Sequence, residues 1–124
     1  MYSQRVSSET NPEKLLPLPP VTFHILLALA DGERHGYAII QHVHAATDGE
    51  LRIQAGTLYR SIQRMLEQNL VVEKHTRPAI GEDDERRRYY RITPFGRIVA
   101  QLETRRLAQM VKLARAAGLV PAKG

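Results

Sequence analysis

The 124-residue sequence predicts a mainly α-helical chain with a small β-wing, and three observations carry that expectation. From Gln54 to Gln68, the residues Leu58, Ile62, Met65 and Leu66 fall at the i, i+4, i+7, i+8 spacing of one buried helical face. Leu70 to Thr76 and Arg88 to Ile92 then read as two short strands joined by a polar loop. From Pro94 a further helix runs to about Ala117, where Gly118 stops it. Preceded by two more helices, this order is that of a winged helix-turn-helix domain with a long C-terminal helix appended. The boundaries read as an N-terminal arm at 1–19, the winged domain at 20–93, the C-terminal dimerisation helix at 94–118 and a tail at 119–124.

A chain of this length forms one domain plus appended structure. Its hydrophobic fraction of 43% suffices for a small core. It holds no cysteine, so there are no disulfides and no thiolate ligands or nucleophiles. No run of 18 apolar residues is present to span a membrane, and residues 1–10 lack the apolar core of a signal peptide. A cytoplasmic protein without a cofactor is expected. The formal charge of +5 is unevenly spread: residues 1–62 carry five Arg or Lys against six Asp or Glu, and residues 63–124 carry thirteen against seven. Taken alone, such a bias describes a solvated basic surface. Joined to a helix-turn-helix pattern, it is better explained as an electrostatic footprint for nucleic acid.

Taken in order, residues 1–10 are polar and frayed, and Asn11-Pro12 can cap and open a short helical turn that Pro17, Pro19 and Pro20 end. The arm is either a solvated extension or a segment that packs on a partner subunit. Val21 to Ala30 is a helix apolar on most sides, hence largely buried. Its His24 is a packed or rim histidine. After the turn at Asp31-Gly32-Glu33-Arg34, His35-Gly36-Tyr37 opens a second helix whose core face is Ile39, Ile40 and Val43. Gly36 either lets a neighbour approach closely or is a permissive turn residue. His42 and His44, two apart, point in nearly opposite directions and cannot share a metal ion. Leu51-Arg52-Ile53 is a short extended piece available to the edge of the wing sheet.

Gln54-Ala55-Gly56-Thr57 opens the third helix with small residues, which would let free backbone N–H groups come close to a phosphate. Its face opposite the apolar stripe carries Thr57, Arg60, Gln63, Arg64 and Glu67, and Arg60 and Arg64 project from the same side. In the wing, Tyr90 and Ile92 alternate with Tyr89 and Arg91, which puts Tyr90 in the core and leaves Tyr89 exposed or semi-exposed. The loop before it ends in Glu82-Asp83-Asp84-Glu85-Arg86-Arg87-Arg88. The arginines read as a basic wing held near the phosphate backbone, and the acidic tip as local ion pairs on a solvated hairpin. In the last helix Phe95, Ile98, Val99 and Leu102 share one face. Leu107, Met110, Val111 and Ala114 share another, about a quarter turn away. The first face closes the domain's own core. So little chain remains for the second that a second subunit is its natural cover.

Leu26-Leu27-Ala28-Leu29, His35-Gly36-Tyr37, Gly56-Thr57-Leu58-Tyr59 and Arg88-Tyr89-Tyr90-Arg91-Ile92-Thr93-Pro94-Phe95-Gly96, in this order and spacing, resemble the PadR family of transcriptional regulators. The resemblance runs from Leu15 to Leu119 and fits the short form, with a single C-terminal helix. It implies a winged-helix domain, a homodimer built through the C-terminal helix, and binding to inverted-repeat operators on double-stranded DNA as a repressor. For some members it also implies a small aromatic effector held between subunits. The family's wing is commonly basic toward its tip, whereas Glu82 to Glu85 make this one acidic. No tryptophan is present to stack on a planar drug.

The expected DNA contacts are Gln54, Thr57, Tyr59, Arg60, Ser61 and Arg64 on the helix and Arg86, Arg87 and Arg88 on the wing. Arginine suits a guanine edge because its fork matches two acceptors, while Thr57, Ser61 and Tyr59 suit phosphate oxygens. The expected dimer contacts are Leu107, Met110, Val111 and Ala114. A winged helix that binds protein instead of DNA is the first rival. An enzyme is a poor one, because the histidines are scattered and neither a Gly-rich phosphate loop nor a spaced carboxylate pair is present.

Overall fold

A computed structural model describes residues 10–75 and 88–120. A short 3-10 turn, Pro12–Leu15, is capped by the Asn11 side chain, which accepts from Glu13 N–H at 2.9 Å. There follow α1 (Pro20–Leu29), β1 (Arg34–His35), α2 (Gly36–Ala46), α3 (Ala55–Glu67), β2 (Val71–His75), β3 (Arg88–Ile92) and α4 (Pro94–Ala116).

The core is built round α1, whose Ile25, Leu26, Ala28 and Leu29 are buried, with Ile39 and Val43 of α2 and Leu58, Ile62 and Met65 of α3 packed on it. Leu70, Val71, Tyr90 and Ile92 close the core from the sheet, and Val99 from α4. Leu27 departs from the expected burial of the first helix: it is 46% exposed.

The sheet has three antiparallel strands in the order β1-β3-β2. Its third member is Arg34–His35, paired with Tyr90 and Tyr89, and not Leu51–Ile53. The extended piece at 51–53 forms no strand. Ile53 is buried beneath the helices, and the Leu51 N–H donates to Thr47 Oγ1 at 3.0 Å. A two-residue strand without apolar alternation leaves no periodic trace in a sequence. Tyr90 lies in the core at 2% exposure, and Tyr89 is half-buried with its ring edge-on to His35, centroids 5.5 Å apart.

Two junctions fix the helices to this frame. His35 Nδ1 accepts from Ala38 N–H at 3.2 Å and caps α2. Thr93 Oγ1 accepts from Gly96 N–H at 2.7 Å and donates to the Asn69 carbonyl at 2.7 Å, so the cap of α4 is also tied to the turn between α3 and β2. Gly96 packs so tightly there that a Cβ would overlap the Leu70 carbonyl oxygen and meet Ile92 Cγ1 at 3.1 Å. The α4 helix packs against α1 and against the turn at Pro12–Leu15. Gly96, Val99 and Glu103 are its buried positions, while Ile98 is 47% exposed. The buried line of α4 is thus Gly96–Val99–Glu103, rotated from the face expected at Phe95, Ile98, Val99 and Leu102. No helix among the described residues is long and apolar enough to cross a membrane.

Candidate nucleic-acid interface

Burial decides what α3 can offer. Leu58, Ile62 and Met65 are at most 2% exposed and anchor the helix, so the opposite face is turned out. Gln54, Tyr59, Arg60, Gln63, Arg64 and Glu67 are exposed, and Thr57 and Ser61 are half-buried. At the entrance of the helix the Gln54 side chain forms no cap, and Ala55 and Gly56 leave the first-turn N–H groups open to an anion.

The two arginines of this face differ. Arg60 folds back over the first turn: its Nη2 lies 3.4 Å from Thr57 Oγ1, and its Nη1 would lie 3.4 Å from a Cβ at Gly56. Gln63 and Glu67 are linked one turn apart at 3.5 Å. Arg64 is exposed and forms no ion pair among the described residues.

Tyr59 has a structural engagement that its exposure of 49% conceals. Its hydroxyl rests on the backbone of Gly36, where an added Cβ would overlap it and lie 2.8 Å from Cζ. Gly36 is therefore a site of close approach, holding the start of α2 against α3. Tyr90 lies on the same side of the core. Burial pushes its phenol above the ordinary range, the Glu73 carboxylate adds to the rise, and the Arg88 guanidinium opposes it.

Arg88 joins the wing to itself: its Nε lies 3.2 Å from Glu73 Oε2 across the β2–β3 pair. Arg91 and Lys74 each stand 4.0 Å from Glu33 Oε1. Arg86, Arg87 and the acidic tip lie outside the described residues. Tyr37, in the first turn of α2, is 62% exposed and was not among the residues expected at the interface, though the His35-Gly36-Tyr37 motif contains it. Neither His42 nor His44 belongs to a group of three metal-binding side chains among the described residues.

Beyond the domain, α4 leaves apolar side chains uncovered. Leu107 is 36% exposed, Met110 53%, Val111 48% and Leu113 55%, with Ala114 half-buried. Leu107, Met110 and Ala114 continue the line of Gly96, Val99 and Glu103 at helical steps of three or four. The face covered inside the domain is therefore the one that emerges bare.

The family model of the PadR-like transcriptional regulators matches residues 25–102, from α1 to the middle of α4. A solved transcriptional regulator from Clostridium thermocellum is 27% identical, with a TM-score of 0.66 over 77% of this chain and 87% of that one. A PadR family transcription regulator from Clostridium difficile has the same TM-score at 20% identity, over 79% of this chain and 97% of that one. An uncharacterized protein of Lysinibacillus sphaericus is 36% identical over 73 residues, 59% of this chain, and the match spans 64% of that relative's length. With three helices, a two-stranded wing and a short third strand in the matched region, the chain belongs to the PadR-like family of DNA-binding transcriptional regulators.

Proposed function

We propose that the protein binds an inverted-repeat operator as a homodimer and represses the gene beside it. The observation that carries this reading is α3: three core residues clamp one face, which leaves Arg60, Arg64, Gln54 and Tyr59 outward on the other. A helix of this width enters a major groove, where Arg64 reads a base edge while Thr57, Ser61 and the first-turn N–H groups hold phosphates. The bare apolar half of α4 supports the homodimer, because a second copy offers the same face across a two-fold axis. Repression follows if the operator overlaps a promoter, since a bound dimer occludes the polymerase.

A small aromatic effector would be held between the two subunits, in the gap left where the long C-terminal helices of the dimer cross. It would act only so far as its affinity differs between two arrangements of the reading heads. Titrating phenolic compounds against the operator complex tests this, and constant DNA affinity across a broad panel counts against it.

The central experiment measures operator affinity for wild type, Arg60→Ala, Arg64→Ala and Arg87→Ala on matched and scrambled duplexes at several salt concentrations. A base-reading arginine should cost about 1–3 kcal/mol and relax preference at one position. A phosphate-binding arginine should weaken all sequences alike and flatten the salt slope. With roughly 6–10 phosphates neutralised, wild-type affinity should fall by about 10³–10⁵ between 50 and 200 mM salt. A winged helix that binds protein instead would show no salt-dependent retention on duplex DNA. If neither helix variant alters specific binding, α3 is not the reader.

A further inference from the structure

Among residues 17–20 only Leu18 carries a backbone N–H, because Pro17, Pro19 and Pro20 have none. That single donor points to Glu103 Oε2, at 3.3 Å and 85 positions along the chain. Glu103 is 2% exposed. Arg106 grips it from the next turn of α4, with Nε 2.7 Å from Oε1 and Nη2 2.9 Å from Oε2. The Arg106 guanidinium, with help from the Leu18 N–H, holds the carboxyl below the ordinary carboxylate range even though burial works the other way.

Packing alone does not require a carboxylate at this place. An apolar side chain would fill the space without burying a charge. What the carboxylate adds is a directed acceptor, kept in one orientation by a two-pronged arginine. Its place in the helix gives that direction a consequence. Glu103 is the last of the buried positions on α4, and the next on the same line, Leu107 and Met110, are already bare. It thus takes hold of the segment leading into α1 at the last buried position of α4.

We propose that Glu103 is a positioning residue that fixes the direction in which the free half of α4 leaves the DNA-reading head, and so sets the half-site spacing the dimer accepts. The inference rests on the reading of the protein as a dimeric DNA binder. Half-sites one helical turn apart lie about 34 Å from centre to centre, so each added base pair moves a half-site by about 3.4 Å and turns it by roughly 35°. A stiff joint between head and dimer helix rejects such a step, and a loose one tolerates it.

The test begins with a half-site recovered by wild-type protein from a pool of random duplexes. Inverted repeats of that half-site are built with the spacing stepped by single base pairs. Affinity for the series and for one isolated half-site is measured for wild type, Glu103→Leu, Glu103→Gln and Arg106→Met, with sedimentation to confirm the dimer. Wild type should prefer one spacing by about tenfold over its neighbours, the scale of a single mismatched position. Glu103→Leu and Arg106→Met should stay dimeric, keep their affinity for the isolated half-site and lose most of that preference. Glu103→Gln, which keeps an acceptor for the Leu18 N–H, should retain most of it. A merely destabilising role would lower affinity at every spacing alike. Should Glu103→Leu fail to fold, Arg106→Met decides the question. A folded dimer of either variant with the wild-type spacing profile overturns the proposal. Wild-type protein that selects no duplex fails the DNA reading itself, and this inference with it, before any variant is made.

Discussion

At the scale of single residues, exposure is a poor guide to what a side chain does. Tyr59 is half-exposed on the outward side of α3, yet its hydroxyl sits on Gly36 and helps fix the angle between α2 and α3. It can touch a phosphate only while serving that contact. Gly36→Ala should therefore act through the packing of the helix pair, because the new Cβ meets the hydroxyl tip of Tyr59 and, behind it, Cζ of the ring. The expected destabilisation is about 1–3 kcal/mol, in the range of an overpacked core. Urea unfolding reads it directly, and an unchanged midpoint would mean that the tyrosine swings away freely. Arg88 makes a similar point. It counts as a wing arginine in sequence, but its ion pair with Glu73 spans the two strands, which leaves it less available to DNA than Arg64.

At the scale of elements, the long periodic helices were legible and the short or polar features were not. The stripe Leu58–Ile62–Met65 was visible because burial at helical spacing needs only apolar letters in the right order. The strand Arg88–Ile92, with Tyr90 inward, was legible for the same reason at period two. Arg34–His35 was not, because two polar residues pair with β3 through backbone groups that every residue carries. Glu103 gives no signal as one charged letter among several in α4, although Arg106 three places on is the available clue. The junction at Thr93 lay between these extremes. Thr93-Pro94 announced a helix start, but nothing announced that the same hydroxyl also donates to the Asn69 carbonyl. Thr93→Ala should remove both bonds at a buried site and cost about 1–2 kcal/mol, more than Asn11→Ala at the exposed cap of the first turn. Thermal melts of the two variants compare them, and equal losses would show that the second bond adds nothing.

At the scale of the molecule, the arrangement is a reading head on a lever. The head is held by a core in which α1 touches α2, α3, α4 and β3, so the angle of α3 follows from packing shared by the whole domain. The lever is the second half of α4, and in the proposed homodimer its bare face would join one head to the other. Leu107→Glu combined with Val111→Glu would place two charges in that face. Both positions are already substantially exposed, so the domain itself should lose little stability. In a dimer the same carboxylates would be buried opposite their own copies, where burial and like-charge repulsion act together. Sedimentation should show a folded monomer for the double variant and a dimer for wild type. DNA affinity should then fall toward that of a single half-site, and sensitivity to half-site spacing should vanish with it, since one head has no second groove to reach. If the double variant remains a dimer, the contact lies elsewhere, with the N-terminal arm the next place to look. If it is monomeric yet still binds the inverted repeat as tightly as wild type, the two heads do not act together, and the lever has no part in recognition.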